Sequence, residues 1–174
     1  KSEVFWLYSL MGGCSTLSFF SLMIAAPFIG DRLYNLGASY SSLLLAIITF
    51  GFIVGNILST PLLKKTSTLS VLKFSSFLAI FGFAVSILFY ILFSKNIFLT
   101  FSSFSLIGLS TGLIWPIASS KVLSIDNKLR GSAAGLNGAI FLGFGALASS
   151  ATGILLAKYA SLLPIYFITL ISIA

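Results

Sequence analysis

The sequence has little of what catalytic and metal sites are made from. Its 174 residues include no histidine, one cysteine and three acidic residues. A single thiol, Cys14, cannot form an internal disulfide, and the absence of histidine excludes a Cys/His metal site. The acids Glu3, Asp31 and Asp126 all lie at the ends of apolar segments. We therefore predict no metal, no cofactor and no enzymatic activity, and no proton- or ion-relaying group deep within a segment.

Charge of either sign is also scarce, and its distribution predicts a membrane protein. Charged residues are 7% of the chain, against about 25% in globular domains, and the mean hydropathy is +1.13. The net charge is +7, but the basic residues form no continuous stripe, so we expect no nucleic-acid partner. A helix needs about 20 apolar residues to cross the hydrocarbon core of a bilayer. Five charge-free segments reach that length: 4–30, 33–63, 74–94, 96–120 and 131–157.

These segments predict an all-α bundle that forms a single transmembrane domain over residues 1–174. The last predicted helix is too short to cross a bilayer, so we expect the chain to be part of a longer protein. The six helices are predicted at 4–29, 40–63, 69–94, 97–120, 132–157 and 161–174.

The basic residues predict which side of the membrane each end occupies. Seven of them (Lys1, Lys64, Lys65, Lys73, Lys121, Lys128 and Arg130) lie on one side when the spans alternate, and three (Arg32, Lys95 and Lys158) lie on the other. Short loops rich in lysine and arginine stay in the cytoplasm, so both termini are predicted to be cytoplasmic.

Glycines recur at four-residue spacing, which lets helix backbones approach closely. The pattern is consistent with static packing or with helices that slide during function, and static packing is the commoner use. The predicted packing positions are Gly51, Gly55, Gly108, Gly112, Gly131, Gly135 and Gly143.

Proline and asparagine mark further positions inside the spans. Pro116 follows Trp115 within the fourth span, and a proline there frees a backbone carbonyl and bends the helix, so the pair is a candidate gate. Asn56 and Asn137 lie in apolar helices, where an amide without a hydrogen-bond partner costs several kcal/mol. We expect both to face another helix or a wet cavity.

Three stretches resemble a known transporter family. Ala25-Ala26-Pro27-Phe28 closes the first span, Asn56 precedes Lys64-Lys65, and 129–136 (LRGSAAGL) is followed by 141–146 (FLGFGA). Together with the spacing of the spans, they resemble the C-terminal six-helix half of a major facilitator superfamily transporter. Within that superfamily, the chain looks most like the Bcr/CflA drug/proton antiporters, the bicyclomycin and chloramphenicol resistance exporters.

The resemblance implies a multi-pass transporter of the bacterial inner membrane that exports small hydrophobic molecules by alternating access. In that antiporter family, the signature loop, the span-five motif and the membrane acid belong to the N-terminal half. This chain would therefore need that six-helix half as a partner. The resemblance also implies nested three-helix inverted repeats, and it places spans one, two, four and five around the substrate cavity. The cavity or gate residues are then Phe19, Phe20, Asn56, Trp115, Pro116, Asn137 and Phe141.

Two alternatives remain open at this stage. A carrier of the same superfamily for a sugar or metabolite would normally carry charged or multiple amide groups in its cavity. A non-transporting remnant or membrane scaffold would lack the second six-helix half. The aromatic, weakly polar set of candidate residues favours hydrophobic cargo.

Overall fold

The computed structural model describes residues 2–93, 96–125 and 129–158 as five long helices. They are α1 (Ser2–Tyr34), α2 (Ala38–Lys65), α3 (Thr68–Leu92), α4 (Ile97–Leu123) and α5 (Arg130–Lys158). All five are long and apolar enough to cross a membrane, which confirms the prediction of a helical membrane protein. The predicted sixth helix at 161–174 lies outside the described residues.

Local chemistry sets where the helices end. The hydroxyl of Ser67 accepts a hydrogen bond from the backbone N–H of Ser70 and so caps α3. Asn96 caps α4 in the same way through the N–H of Leu99. Lys64 and Lys65 occupy the last turn of α2, where cations complement the helix dipole.

α1 is longer than its apolar segment. The predicted span ended at 29, yet the helix continues through Asp31 to Tyr34, because charged residues outside the hydrocarbon core do not interrupt helical hydrogen bonding. It stops at Asn35, which has a φ of 48°. Asparagine tolerates this left-handed conformation better than most residues, and the conformation is common just past a helix end.

The helices pair in a crossed pattern around α4. α4 packs against α1, α2, α3 and, less extensively, α5, and α1 also packs extensively against α5. Ser9 meets Asn137 and Ser21 meets Thr152, so α1 and α5 run parallel. α2 and α4 also run parallel, because Gly108 lies against Ile48 and Gly112 against Phe52. α3 lies on the periphery, against α4 and marginally α2.

Two apolar cores fill opposite ends of the bundle. One is centred on Leu22 of α1, Leu44 of α2 and Phe101 and Phe104 of α4, all fully buried. The other is centred on Leu72 of α3, with Leu113, Ile117 and Phe141. The aromatic residues of the candidate site connect the two cores: Phe19 packs against the first core, and Phe141 belongs to the second.

Candidate functional site

Five aromatic rings form a continuous chain across α1, α2, α4 and α5. The rings of Phe19 and Phe20 meet edge to face with centroids 5.9 Å apart. Phe19 also contacts Phe52 at 4.8 Å, and Phe52 meets Trp115 edge to face at 5.5 Å. Trp115 in turn stacks on Phe141 at 5.6 Å. Ring pairs at such distances contribute beyond their buried area, so this aromatic chain links the four helices.

Four of these rings are only half-buried. Phe19, Phe20, Phe52 and Trp115 are partly exposed, whereas Phe141 is 4% exposed. The aromatic chain is therefore anchored at α5 and remains accessible elsewhere.

The indole of Trp115 is held by a hydrogen bond to α1. Its Nε1–H donates to the hydroxyl of Thr16 at 2.9 Å, and that hydroxyl donates to the carbonyl oxygen of Gly12 at 2.7 Å. An N–H inside a membrane protein needs such an acceptor, because no water is present in the hydrocarbon core. The two bonds fix the plane on which Phe52 and Phe141 pack.

Asn137 forms a polar bridge between three helices at the inner end of the aromatic chain. Its Oδ1 accepts a hydrogen bond from the hydroxyl of Ser9 at 2.9 Å, and its Nδ2 donates to the hydroxyl of Ser119 at 3.5 Å. The side chain is 5% exposed. A buried amide with partners on α1 and α4 meets the requirement that made this residue a candidate.

Asn56 is placed differently. Its Nδ2 donates to the carbonyl oxygen of Phe52, one turn earlier in the same helix, at 3.1 Å. The side chain is half-buried, and among the described residues it makes no hydrogen bond to another helix. The structure therefore brings Asn137, but not Asn56, into an interhelical polar contact.

One buried hydroxyl in this region has no partner. Ser15 Oγ is the only buried side-chain nitrogen or oxygen among the described residues that lacks a hydrogen bond. Its backbone carbonyl accepts a bond from Thr111 of α4, at 3.4 Å. A buried polar group left unsatisfied costs about 1–3 kcal/mol, so Ser15 would gain by bonding a ligand or a water molecule.

The glycines of α2 and α4 bring the two backbones together beside the aromatic chain. A Cβ added at Gly51 or Gly55 would overlap the backbone carbonyl of Ser105 or Leu109. A Cβ at Gly108 or Gly112 would overlap the carbonyl of Ile48 or Phe52. The four-residue spacings predicted on α2 and α4 thus lie in one helix–helix interface, where two Gly-xxx-Gly faces meet.

The predicted glycines of α5 lie elsewhere. Gly131, Gly135 and Gly143 are exposed, and a Cβ at any of them would have nothing within 4 Å. Among the described residues they pack against no other helix. Spacing places small residues on one face of a helix, but it does not determine which face the rest of the chain covers, so the packing role of these three glycines stays a prediction.

Sequence reasoning missed two parts of the site. Phe52 joins Phe19 to Trp115, but among 18 phenylalanines nothing in its local sequence marked it. Gly12 and Gly13 give the room in which Phe141 and Phe144 of α5 pack against α1. The adjacent glycine pair within an apolar span was the signal available. Pro116, next to Trp115, is half-buried and lies within the unbroken helix α4.

The fold and this site define the class of protein as a multi-pass helical membrane protein with an aromatic cluster between four of its helices. The described residues contain no group of three or more histidine, cysteine, aspartate or glutamate side chains that could hold a metal ion. No family model matches the chain, and no curated protein or solved structure matches it significantly.

Proposed function

We propose that this chain is one six-helix half of a major facilitator-type transporter, and that the whole transporter exports small hydrophobic compounds in exchange for protons. The observation that carries the proposal is the crossed pairing of helices. α1, the first helix of one triplet, packs in parallel on α5, the second helix of the next triplet. α4, the first helix of that second triplet, packs in parallel on α2, the second of the first.

Such an exchange is what two inverted three-helix repeats produce. If α1 is exchanged with α4 and α2 with α5, the parallel pair α1–α5 becomes the parallel pair α4–α2. The contact between α1 and α4 is unchanged by this exchange. Internal repeats of opposite topology, with the substrate site at the repeat interface, are a general feature of secondary transporters. In this chain the aromatic chain and the Asn137 bridge both lie at the interface between the two triplets.

The chemistry of the site favours hydrophobic cargo. The accessible surfaces are aromatic, which gives broad and weakly directional affinity for flat apolar molecules. Polar contacts come from hydroxyl and amide groups, among which Ser15 Oγ has no protein partner. A sugar would require a dense set of polar groups, so these residues favour an exporter over a sugar carrier. The coupling acid would then lie in the partner half.

The proposal assigns roles to the exposed glycines and to the charged ends. Gly131, Gly135 and Gly143 would face the partner half, where a smooth surface permits rocking during alternating access. Lys64, Lys65, Lys73, Lys121 and Arg130 lie toward one end of the bundle, which we assign to the cytoplasm of a bacterial inner membrane by the positive-inside rule.

A dye-accumulation assay with the complete coding sequence tests this function. Cells that express the protein should retain less of a hydrophobic fluorescent dye than cells with an empty vector, and a protonophore should abolish the difference. Phe52→Ala and Trp115→Ala should raise accumulation toward the empty-vector level. The matched control is Phe50→Ala, because Phe50 lies on the same helix as Phe52 but is 68% exposed on the outer surface.

The outcomes separate the alternatives. Equal dye levels in all strains, with the protein present in the membrane, would refute an exporter and favour a scaffold or remnant. Equal effects of Phe50→Ala and Phe52→Ala would remove the aromatic chain from the transport path. Export that persists with the protonophore would refute the proton coupling but not the export itself.

A further inference from the structure

A groove runs between α1 and α3, beside the apolar core that contains Leu72. Its volume is about 610 Å³, and its walls are mainly apolar. α1 contributes Leu7 and Met11, and α3 contributes Leu69, Phe77 and Ile80. Leu7 is 65% exposed and Phe77 is 61% exposed, so both side chains lie on the surface of the bundle rather than in its interior.

The α3 wall of the groove has about the length of one leaflet, and the α1 wall covers one turn of helix, from Leu7 to Met11. At 1.5 Å per residue, Lys73 lies about 8 Å from the start of α3 at Thr68, and Ile80 lies about 18 Å from it. Half of a hydrocarbon core is about 15 Å thick. Along α3, the groove therefore covers a length similar to that of one leaflet, which an acyl chain could occupy.

One positive charge lies in the half of the groove nearer the start of α3. Of the described residues that line the groove, Lys73 alone is charged, and none is acidic. Its long side chain can keep the ammonium group at headgroup depth while its methylenes cover apolar surface. The N-terminus of α3, whose dipole favours anions, and the exposed Lys64 and Lys65 lie at the same end of the bundle.

We propose that this groove is a binding site for an anionic phospholipid, with one acyl chain along Leu7, Met11 and Phe77 and the headgroup phosphate at Lys73. Basic pockets between transmembrane helices are a recurrent means of holding anionic headgroups. An apolar partner helix in the same groove would cover Lys73 and leave its charge unpaired, which is costly in a membrane. A phospholipid fills the apolar walls and neutralises the charge together.

Brominated lipids give a direct test, because Trp6 is adjacent to Leu7 and bromine quenches tryptophan fluorescence on contact. The purified protein, in a background where Trp6 is the sole tryptophan, is reconstituted with brominated phosphatidylglycerol or brominated phosphatidylcholine at equal mole fraction. We expect stronger quenching by the anionic lipid. Lys73→Gln should reduce that preference about fivefold, which corresponds to the contribution of one lysine near a membrane surface.

Two variants separate a built site from diffuse attraction. Lys121→Gln removes a charge from the end of α4, and the groove is not lined by Lys121, so the preference should persist. Ser76→Phe retains Lys73 but fills the groove, so it should lower quenching by phosphatidylglycerol. Equal quenching by both lipids in the unmodified protein, equal losses in the two lysine variants, or no quenching of Trp6 by either lipid would each overturn the proposal.

Discussion

Adding one methyl group at Gly112 should separate α2 from α4. The new Cβ would overlap the carbonyl oxygen of Phe52 and lie 3.0 Å from the backbone nitrogen of Asn56. Both are main-chain atoms, which cannot rotate away as a side chain can. The two helices must therefore move apart by about 1 Å, which forfeits between a quarter and a half of the dispersion energy of each contact along the interface.

The magnitude follows from two opposed effects. Overpacking a tight interior costs about 1–3 kcal/mol, and a clash with backbone belongs at the upper end of that range. Alanine, on the other hand, favours a helix over glycine by about 1 kcal/mol. We expect Gly112→Ala to lower the free energy of unfolding by about 2 kcal/mol.

Gly153→Ala is the matched control, since it makes the same chemical change within α5 where a Cβ meets nothing within 4 Å. It should leave stability unchanged or raise it by up to about 1 kcal/mol. Because the helix-propensity gain is common to both variants, their difference of about 3 kcal/mol isolates the close approach of the helices.

The assay is reversible denaturation of the purified protein in mild detergent, followed by far-ultraviolet circular dichroism. The double variant Gly55→Ala/Gly112→Ala adds a second measure. Its two methyl groups open the same interface. The double variant should therefore lose less free energy of unfolding than the sum of the losses of the two single variants. Equal stabilities for Gly112→Ala and Gly153→Ala would refute the packing argument, as would additive costs in the double variant.

Three further predictions concern the polar contacts and the lipid groove. Asn137→Ala should lower the free energy of unfolding by about 0.6–1.7 kcal/mol, because it breaks contacts to α1 and α4. Asn56→Ala loses only a bond within its own helix, so it should change stability little. Equal effects of the two variants in the same denaturation assay would contradict this prediction. Trp115→Phe and Thr16→Val should each lower the free energy of unfolding by about 0.5–1.5 kcal/mol, because each removes the same N–H···O bond. The double variant should therefore lose no more than the larger of the two single losses. Fully additive losses would show that this bond does not couple the two residues. Lys73→Gln should leave dye export intact while it reduces phospholipid selectivity, and a loss of export with unchanged selectivity would reverse that assignment.

The charge-free segments predicted the helices well, for a direct physical reason. Each backbone polar group must be satisfied within the segment in hydrocarbon, so apolar length and helix length coincide. The predicted spans at 69–94 and 97–120 match α3 and α4 within three residues. The largest difference is at α1, where Asn35 rather than the polar Asp31 ends the helix.

The site was predictable residue by residue only where a residue type is intolerant of its surroundings. Asn137 and Trp115 carry polar groups that require partners, and both have partners on other helices. Phe52 carries no such requirement, because a phenylalanine is equally stable against lipid or against another ring. Phe50 and Phe52 differ by two positions, yet one is 68% exposed and the other contacts Phe19 and Trp115.

By itself, the scarcity of charge predicted several membrane-spanning helices. A charge is costly in hydrocarbon, and the charge-free segments are long enough to cross it. Glycine spacing determined that close helix contacts were available on α2, α4 and α5. Only the tertiary structure decided which glycines use them: the faces of α2 and α4 meet, whereas Gly131, Gly135 and Gly143 remain uncovered. Lipid and helix surfaces are equally apolar, so composition cannot choose between them, and the choice is made by which shapes fit together.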